Sequence, residues 1–498
     1  MNRIKSFINR FEASEKNIIW NMIGGGWNGA LLIIVTPIYI SIIGLDGYGI
    51  LGLWLMMLSL SNLFDIGIGS SIVREFAMHS SSSNEDFPYL RGVLKTLEIV
   101  YWAIAFLICI FLLFSAENIG NIIKSNAFSI QELAKIITSL FLAVSFQFPT
   151  AIYSSGLLGL QKQGILNLII VISNTFRHIF GLIVLVVTED INTFFNIQIV
   201  ISLLQILLTR FILVSYIENK KTSRSKFRFE IIKKLWKFSA GMSLTAILAL
   251  VIANIDRVAI SLMLTTEDLG YYTIAYSGVI VLQMGIQPFY KAYYPRYVEL
   301  VKEGRDDLLA QEYFKSCGLM SSIILPIIFI GYFFAPELFQ IWLQDNNVTS
   351  VKIFRFLLIG IGLSGLMWLP AALQHAHGWT SLHLKMLLLA IIVGSPIMLI
   401  LISLYGVVGA TALWVTHGVI ETTIAVYLMH KKILPNKLRL WVYKIVFIPS
   451  IIAFFISAFS NAFLPDTDNQ FFILICIFLT GLITTLLINW YNKVQKII

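Results

Sequence analysis

Charged residues and cysteines are both scarce in this chain of 498 residues. Only 13% of the residues are charged, whereas 57% are hydrophobic, and the mean hydropathy is +0.82. A soluble core of this size could not bury so much apolar surface, so a soluble enzyme or binding module is excluded. The three cysteines, Cys109, Cys317 and Cys476, lie far apart in apolar stretches. They are too few and too dispersed for a disulfide framework or a thiolate metal site, and we expect them to be small packing residues.

Long polar segments are also missing. Fourteen apolar stretches fill the sequence, each of roughly the twenty residues that a helix needs to cross a bilayer. We therefore predict an all-α, polytopic membrane protein with about 14 transmembrane helices. In the first half the predicted spans are 18–43, 48–73, 93–115, 133–158, 165–187 and 194–217. In the second half they are 239–264, 271–298, 313–334, 353–373, 382–404, 410–429, 445–463 and 471–490.

The formal net charge of +9 arises from Lys and Arg residues in short segments between the apolar stretches. A nucleic-acid-binding protein would cluster these residues on a soluble face, so no nucleic acid partner is expected. Most basic residues fall on the side that carries the N-terminus, and the other side has Lys124, Lys135, Lys352 and Arg355. By the positive-inside rule, both termini should therefore be cytoplasmic.

Two segments outside the spans are predicted to meet the membrane surface. Residues 1–16 place large apolar side chains at helical spacing, which fits an amphipathic surface helix or a solvated extension of the first span. Residues 218–238 are strongly basic with interleaved aromatic residues. Because this segment adjoins two spans, we expect it to bind the anionic headgroups of membrane lipids.

Two similar turns indicate an internal repeat. The sequences GLDGYGI at 44–50 and DLGYYTI at 268–274 align, when Gly47 is matched with Gly270, at an offset of 223 residues. Each copy begins on the same side of the membrane, so the pattern predicts a parallel repeat of two six-helix bundles. The predicted domains are an N-terminal lobe at 1–217, a cytoplasmic linker at 218–238, a C-terminal lobe at 239–430, and two additional transmembrane helices at 431–498.

Several short motifs carry a family resemblance. They are LDGYG at 45–49, LFDIGIGSSIVRE at 63–75, NIDR at 254–257, DLGYY at 268–272 and YPR at 294–296. Together they resemble the polysaccharide-exporter branch of the multidrug/oligosaccharidyl-lipid/polysaccharide flippase superfamily, and within it the bacterial O-antigen flippases. The resemblance covers nearly the whole chain.

The resemblance implies two six-helix bundles around a central cavity, with two added helices. It also implies that the protein moves undecaprenyl-diphosphate-linked O-antigen oligosaccharide units from the cytoplasmic to the periplasmic leaflet of the bacterial inner membrane by alternating access. An O-antigen polymerase and a chain-length regulator are then candidate partners. Such a cargo requires a hydrated groove with cations for the diphosphate and with polar or aromatic groups for the sugars.

Cationic side chains within the spans are the candidate substrate ligands. Arg177 lies near the middle of its span, too deep to reach the membrane surface easily. It could face the substrate or form an ion pair with Asp65 or Glu421. Arg210, Lys291 and Arg296 lie nearer the predicted cytoplasmic face, where each could bind the diphosphate or anchor a helix end. His178 follows Arg177 and is expected to pack or hydrogen-bond between helices.

Acidic side chains within the spans are candidates for coupling or for structural pairing. Asp65 is expected to pair with Arg74 or to cap a flexible turn. Asp256 and Arg257 belong to a motif near a helix end, where a structural role is favoured. Glu421 is the candidate coupling carboxylate, and His417 lies four residues earlier on the same helix face. Further groups could line a sugar path: Tyr39, Tyr290, Tyr293, Tyr294, Asn21, Asn28, Gln147, Gln283 and Gln287.

No motif indicates catalysis, a cofactor or a metal site. The GxGxxG patterns beginning at Gly24 and Gly360 lack the βαβ unit of a dinucleotide site and instead suit close helix packing. The segments 116–132 and 335–352 are too short for the large outer loop of a membrane glycosyltransferase or polymerase. The alternative is a cation-coupled multidrug antiporter of related fold. Such a pump should favour an acidic cavity, whereas basic residues outnumber acidic ones within these spans.

Overall fold

The computed structural model describes residues 13–61, 68–78, 87–217, 245, 247–344, 347–465 and 469–495. These residues are almost entirely helical and contain no β-strand; their one β-bridge joins Lys124 and Thr265. The prediction of an all-α, multi-pass membrane protein is confirmed. Three predicted features lie outside the described residues: most of the amphipathic start at 1–16, the basic linker at 218–238, and Asp65.

Helices α1 to α8 form the first part of the fold. They are α1 Ala13–Ser61, α2 Ile68–Met78, α3 Phe87–Ile122, α4 Ile130–Gln147, α5 Thr150–Gly159, α6 Gln163–Thr188, α7 Ile191–Ile217 and α8 Ile255–Met263.

Helices α9 to α19 form the second part, which also contains short 3₁₀ and π turns. The helices are α9 Thr266–Glu303, α10 Asp306–Phe333, α11 Ala335–Leu343, α12 Val348–Leu366, α13 Trp368–Ala376, α14 Ser381–Tyr405, α15 Ala412–Ile420, α16 Val426–Ile433, α17 Leu438–Leu440, α18 Ile448–Ala462 and α19 Gln470–Val494. The 3₁₀ turn Gly406–Thr411 precedes α15, and π turns at Glu421–Ala425 and Trp441–Phe447 interrupt the later helices.

Ten described helices are long and apolar enough to cross a membrane, or eleven if the two halves of α9, which meet at 44°, count as one span. The predicted number of 14 is therefore not confirmed. Two of the long segments each contain two predicted spans. Gly44 breaks α1 with φ 68°, and Gly406 ends α14 with φ 61°, a left-handed conformation that glycine adopts without steric strain. Part of the predicted seventh span lies outside the described residues.

Local capping sequences explain where two of these helices begin. At α4, Ser129 and Glu132 form a reciprocal capping box, in which each side chain accepts a hydrogen bond from the other residue's backbone N–H. At α7, Asp190 accepts hydrogen bonds from the backbone N–H groups of Asn192 and Thr193 at 2.9 and 3.1 Å. Burial opposes ionisation of Asp190, but these hydrogen bonds, together with one from the Thr193 hydroxyl, lower its pKa.

The chain divides into two compact units, Met1–Gly270 and Tyr271–Ile498. In the first unit a hydrophobic cluster joins α2, α3, α5, α6 and α7, with Tyr101 stacked on Phe148 at a ring distance of 5.2 Å. In the second, α14 and α15 form a hairpin in which a Cβ built on Gly409 would lie 2.1 Å from the carbonyl oxygen of Leu401. The predicted division into lobes, linker and added helices remains a prediction.

The two repeated turns meet within the first unit. A Cβ built on Gly49 would lie 1.8 Å from the carbonyl oxygen of Thr266, and one built on Gly270 would lie 2.3 Å from the carbonyl oxygen of Leu45. The Thr266 hydroxyl donates a hydrogen bond to Asp46. Glycine is therefore required at both turns because their backbones touch, a reason that the repeat pattern alone did not reveal.

Candidate functional site

Arg177 lies on the buried face of α6. The buried residues of this helix are Ile169, Ser173, Arg177, Gly181 and Leu185, which are spaced four residues apart. Residues at this spacing share one helix face, so the fold turns Arg177 towards the neighbouring helices and away from the surrounding lipid. Only 6% of Arg177 is exposed.

Four hydrogen bonds hold the Arg177 guanidinium, and all of them go to neutral side-chain oxygens. Nη1 donates to Oε1 of Gln198 at 3.3 Å. Nη2 donates to Oε1 of Gln147 at 2.9 Å, to Oε1 of Gln205 at 3.3 Å, and to Oγ of Ser202 at 3.4 Å. Amide and hydroxyl oxygens satisfy the N–H donors without cancelling the charge. The site therefore keeps a full positive charge.

No carboxylate among the described residues forms an ion pair with Arg177. Its Cζ atom lies 5.6 Å from the centre of the Trp54 ring, a distance at which the ring face attracts a cation. A buried cation without a counter-ion is unfavourable. This arrangement is consequently well suited to bind an anion from outside the chain.

A cavity of about 240 Å³ lies beside Arg177. Aromatic and polar side chains line it on helices α1, α4, α6 and α7: Tyr39, Tyr48, Trp54, Gln147, Asn174, Arg177, His178 and Phe194. The Tyr39 hydroxyl and Nδ1 of His178 form a hydrogen bond of 3.1 Å, so His178 does connect two helices. Two residues that were predicted to face a sugar path, Tyr39 and Gln147, thus lie at one cavity with Arg177.

Arg210 is paired with a carboxylate. Its Nε donates to Oε1 of Glu98 at 2.6 Å, and the Tyr153 hydroxyl donates to the same oxygen at 3.2 Å. Glu98 is buried, whereas the Arg210 side chain is 48% exposed. Because Glu98 already neutralises this guanidinium, the role of Arg210 as a phosphate ligand stays a prediction.

The other predicted charged residues that the structure describes have different surroundings. Arg296 pairs with Glu299 at 2.6 Å, and Lys291 is exposed. Arg74 is exposed on α2. Asp256 and Arg257 are both buried at the start of α8, where Oδ1 of Asp256 accepts a hydrogen bond from the Arg257 backbone N–H.

Glu421 lies in a separate group of titratable side chains in the second unit. Its Oε1 is 3.7 Å from Nδ1 of His383 and 3.9 Å from Nε2 of His417. Nδ1 of His417 contacts Oγ of Ser364 at 2.9 Å. The structure thus brings the predicted pair Glu421 and His417 together. No sequence pattern links His383 to this pair, because the carboxylate that faces it is 38 positions further along the chain.

The polar partners of Arg177 on α7 were missed, although the sequence does contain a signal for them. Gln198, Ser202, Gln205 and Thr209 recur on α7 at intervals of four, three and four residues, and all four are buried. Polar residues at helical spacing inside an apolar span form a stripe on one face. In a membrane helix, such a stripe indicates a polar interior rather than lipid.

Comparisons with known proteins agree with this fold. A family model described as polysaccharide biosynthesis protein matches residues 14–301. Over 421 residues, the chain is 23% identical to the Shigella flexneri protein named "Putative O-antigen transporter", an alignment that covers 83% of this chain and 97% of the relative.

Two solved structures share the fold. The lipid II flippase MurJ in an inward closed conformation gives a TM-score of 0.72 at 16% identity and covers 96% of this chain and 100% of its own. An inward-facing multidrug resistance MATE family transporter of the MOP superfamily gives 0.66 at 14% identity, with coverage of 82% and 95%. The family model, the Shigella flexneri relative and these folds together confirm the resemblance drawn from the motifs. The names of these relatives describe transporters and flippases rather than enzymes. Since the family model spans more than half of the sequence, the chain belongs to the polysaccharide biosynthesis protein family.

Proposed function

We propose that this protein translocates undecaprenyl-diphosphate-linked O-antigen oligosaccharide units from the cytoplasmic to the periplasmic leaflet of the inner membrane by alternating access. The family, the Shigella flexneri relative and the flippase fold support a lipid-linked polysaccharide as the class of cargo. The observation that carries the proposal is the charge of Arg177, which has no counter-ion among the described residues.

A diphosphate is a suitable counter-ion for this guanidinium. Hydrogen bonds between ionised groups are shorter and stronger than those between neutral groups, so a phosphate oxygen would displace the weaker contacts at 3.3 and 3.4 Å with Gln205 and Ser202. Between transport cycles, the neutral amides of Gln147, Gln198 and Gln205 would again accept hydrogen bonds from the guanidinium. In this scheme Arg177 holds the headgroup while it crosses the membrane interior.

The size of the cavity limits what it can hold. Pockets that enclose drug-sized ligands measure about 300–1,000 Å³, whereas the cavity beside Arg177 measures about 240 Å³. It therefore has room for the diphosphate and the first sugar rather than for a complete oligosaccharide. Tyr39, Tyr48 and Trp54 supply ring faces for the sugar, and the polyprenyl tail stays in the bilayer.

The same proposal includes the direction of transport and the setting. Both termini lie in the cytoplasm, as the distribution of Lys and Arg predicts. The cargo would be collected on that side, aided by the basic residues near it, and delivered to an O-antigen polymerase and its chain-length regulator. The alternative is a cation-coupled multidrug antiporter, which the likeness to a MATE transporter and the buried Glu421 favour. An organic cation would, however, be repelled by Arg177.

Transport by Arg177 variants in reconstituted vesicles tests the proposal. Fluorescent undecaprenyl-diphosphate-linked oligosaccharide is placed in both leaflets, and a sugar-modifying reagent added outside reports how quickly the inner pool becomes accessible. We expect Arg177→Gln to reduce the rate about ten- to a hundredfold, because a charged hydrogen bond contributes about 1.5–3 kcal/mol. Arg177→Lys should retain part of the rate.

Arg305→Gln is the matched control, since it removes an exposed guanidinium that pairs with Glu303. It should transport at the wild-type rate. An Arg177→Gln protein that is folded and moves the glycan at full speed would remove Arg177 from the mechanism. A wild-type protein that exports organic cations but no lipid-linked glycan would instead support the antiporter.

A further inference from the structure

The carboxylate of Glu421 faces two imidazole rings at distances just longer than a hydrogen bond. Oε1 is 3.7 Å from Nδ1 of His383 and 3.9 Å from Nε2 of His417. The Glu421 and His417 side chains are only 7% and 10% exposed, whereas that of His383 is 30% exposed. Glu421 also begins the π turn Glu421–Ala425, a distortion that is often found at functional sites.

Hydrogen bonds around His417 leave one ring nitrogen facing Glu421. Nδ1 of His417 and Oγ of Ser364 are 2.9 Å apart, and the Ser364 hydroxyl is also 3.2 Å from the carbonyl oxygen of Gly360, to which it can donate. When it does so, Oγ accepts from Nδ1–H of His417. In the neutral ring Nε2 then carries no proton, and it is buried with no hydrogen-bond partner among the described residues.

In this tautomer an unprotonated ring nitrogen faces a buried carboxylate oxygen, and both atoms are acceptors. We propose that Glu421, His417 and His383 form a proton-binding site, in which one shared proton joins the carboxylate to an imidazole. With the proton present, the group contains a carboxylate and an imidazolium that compensate each other. Without it, a buried carboxylate is left beside a nitrogen lone pair, which is unfavourable.

Other charged groups on the helices around Glu421 point elsewhere. On α12, Lys352 and Arg355 are nine or more residues from Ser364, or at least about 14 Å along the axis. On α14, Lys385 and Tyr405 are exposed. On α16, the remaining titratable side chains have other partners: Lys431 lies over the Tyr427 ring, Lys432 over Trp379, and His430 contacts Tyr313 and Val426. His383 and His417 are thus the titratable groups in contact with Glu421, and His375 on α13 is near enough to interact electrostatically with its carboxylate.

A series of side chains connects this site with α9. The His383 ring lies 5.8 Å from the His375 ring, and Nδ1 of His375 contacts the Tyr290 hydroxyl at 3.0 Å. Through the partly exposed His383, a proton can reach the buried carboxylate from this side. A carboxylate oxygen that lies 3.7 and 3.9 Å from two imidazole nitrogens can share a proton with either ring.

Proton uptake by the purified full-length protein tests the site directly. An indicator dye follows uptake as the pH is lowered over the range in which histidine changes charge, about pH 8 to 5. We expect Glu421→Gln to take up about one proton fewer per molecule than wild type, although no histidine has been removed. Glu337→Gln is the matched control, since Glu337 accepts from an asparagine amide, Asn461, rather than facing histidine. Equal uptake by Glu421→Gln and wild type would overturn the site.

Transport in vesicles then tests coupling, which rests on the proposed function. Wild-type flipping should respond to an imposed proton gradient, and Glu421→Gln and His417→Gln should lose that response. His377→Gln, whose ring contacts the Leu373 carbonyl oxygen of its own helix, should keep it. If Glu421→Gln flips the glycan with the same dependence on the proton gradient as wild type, the coupling is overturned but the proton site is not. A response to sodium instead of protons has the same consequence. If the wild-type protein does not flip the glycan but its proton uptake still depends on Glu421, the proposed function is overturned. The proton-binding site is then still supported.

Discussion

Arg177 and Gln198 hold each other through two hydrogen bonds that run in opposite directions. Nη1 of Arg177 donates to Oε1 of Gln198 at 3.3 Å, while Nε2 of Gln198 donates to the backbone carbonyl oxygen of Arg177, also at 3.3 Å. The amide therefore fixes the orientation of the guanidinium relative to its own helix. Because an amide is neutral, it does so without reducing the charge that the site presents to an anion.

This relationship predicts that an uncharged side chain of similar size can replace the amide of Gln198, whereas a negatively charged one cannot. In Gln198→Glu, a carboxylate would stand 3.3 Å from Nη1 and form a buried ion pair with it. We expect glycan transport to fall at least about tenfold, since Arg177 would no longer need an external counter-ion. The vesicle flipping assay measures the rate. Gln198→Met should have a smaller effect.

Gln131→Glu controls for the added charge, because Gln131 is exposed near the start of α4. It should leave the rate unchanged. If Gln198→Glu transports as well as wild type, then the uncompensated charge of Arg177 is not what the cargo recognises.

Much of the fold follows from one-dimensional features of the sequence. Apolar stretches of about twenty residues located the helices, and the repeated motif located the turns around Gly47 and Gly270, although not the contact between them. The central position of Arg177 in its span was enough to make it a candidate ligand. These features succeed because helix formation and membrane insertion depend on nearby residues.

Pairings between distant residues could not be predicted in the same way. Glu98 and Arg210 are 112 residues apart in sequence, and His383 and Glu421 are 38 apart. Which carboxylate meets which cation depends on how the helices pack, and many packings are compatible with the same spans. The predicted number of 14 spans is not confirmed, because Gly44 and Gly406 join neighbouring predicted spans into continuous helical segments and part of the seventh span lies outside the described residues.

The pair Glu98 and Arg210 predicts a double-mutant result that separates structure from function. Arg210→Ala should lower the free energy of unfolding by about 1–3 kcal/mol, because it leaves a buried carboxylate with only the Tyr153 hydroxyl. Adding Glu98→Gln should restore most of this stability. Thermal unfolding in detergent measures both proteins. Transport should recover with stability.

A structural role for Arg210 is the alternative to phosphate binding. If the double variant regains full stability but still cannot flip the glycan, then Arg210 acts on the cargo itself. Arg305→Gln serves as the reference for loss of an exposed cation that has no proposed role in binding the cargo.

The contact between the repeated turns predicts that Gly49 tolerates no side chain. A Cβ there would lie 1.8 Å from the Thr266 carbonyl oxygen, so the two backbones must separate. We expect Gly49→Ala to lower the free energy of unfolding by about 1–3 kcal/mol. Gly92→Ala is the matched control, because Gly92 is helical and its Cβ would meet nothing within 4 Å. An equal melting temperature for the two variants would contradict this prediction.

The approach of α12 to α15 predicts a similar effect beside Glu421. A Cβ on Gly360 would lie 2.5 Å from the carbonyl carbon of Trp414, and one on Gly418 would lie 2.4 Å from the carbonyl oxygen of Gly360. This approach is what brings Ser364 within 2.9 Å of His417. Gly360→Ala should therefore reduce stability by about 1–3 kcal/mol and also diminish the proton uptake that depends on Glu421.

Gly285→Ala is the control for this substitution, since its Cβ would meet nothing within 4 Å. The two readouts of Gly360→Ala distinguish packing from proton binding. Reduced stability with unchanged uptake would mean that Ser364 does not set the protonation of His417. Unchanged stability would mean that the two helices can move apart freely. Small residues generally allow membrane helices to approach each other closely. In that case, however, Gly360 and Gly418 would not be required for the approach of α12 to α15.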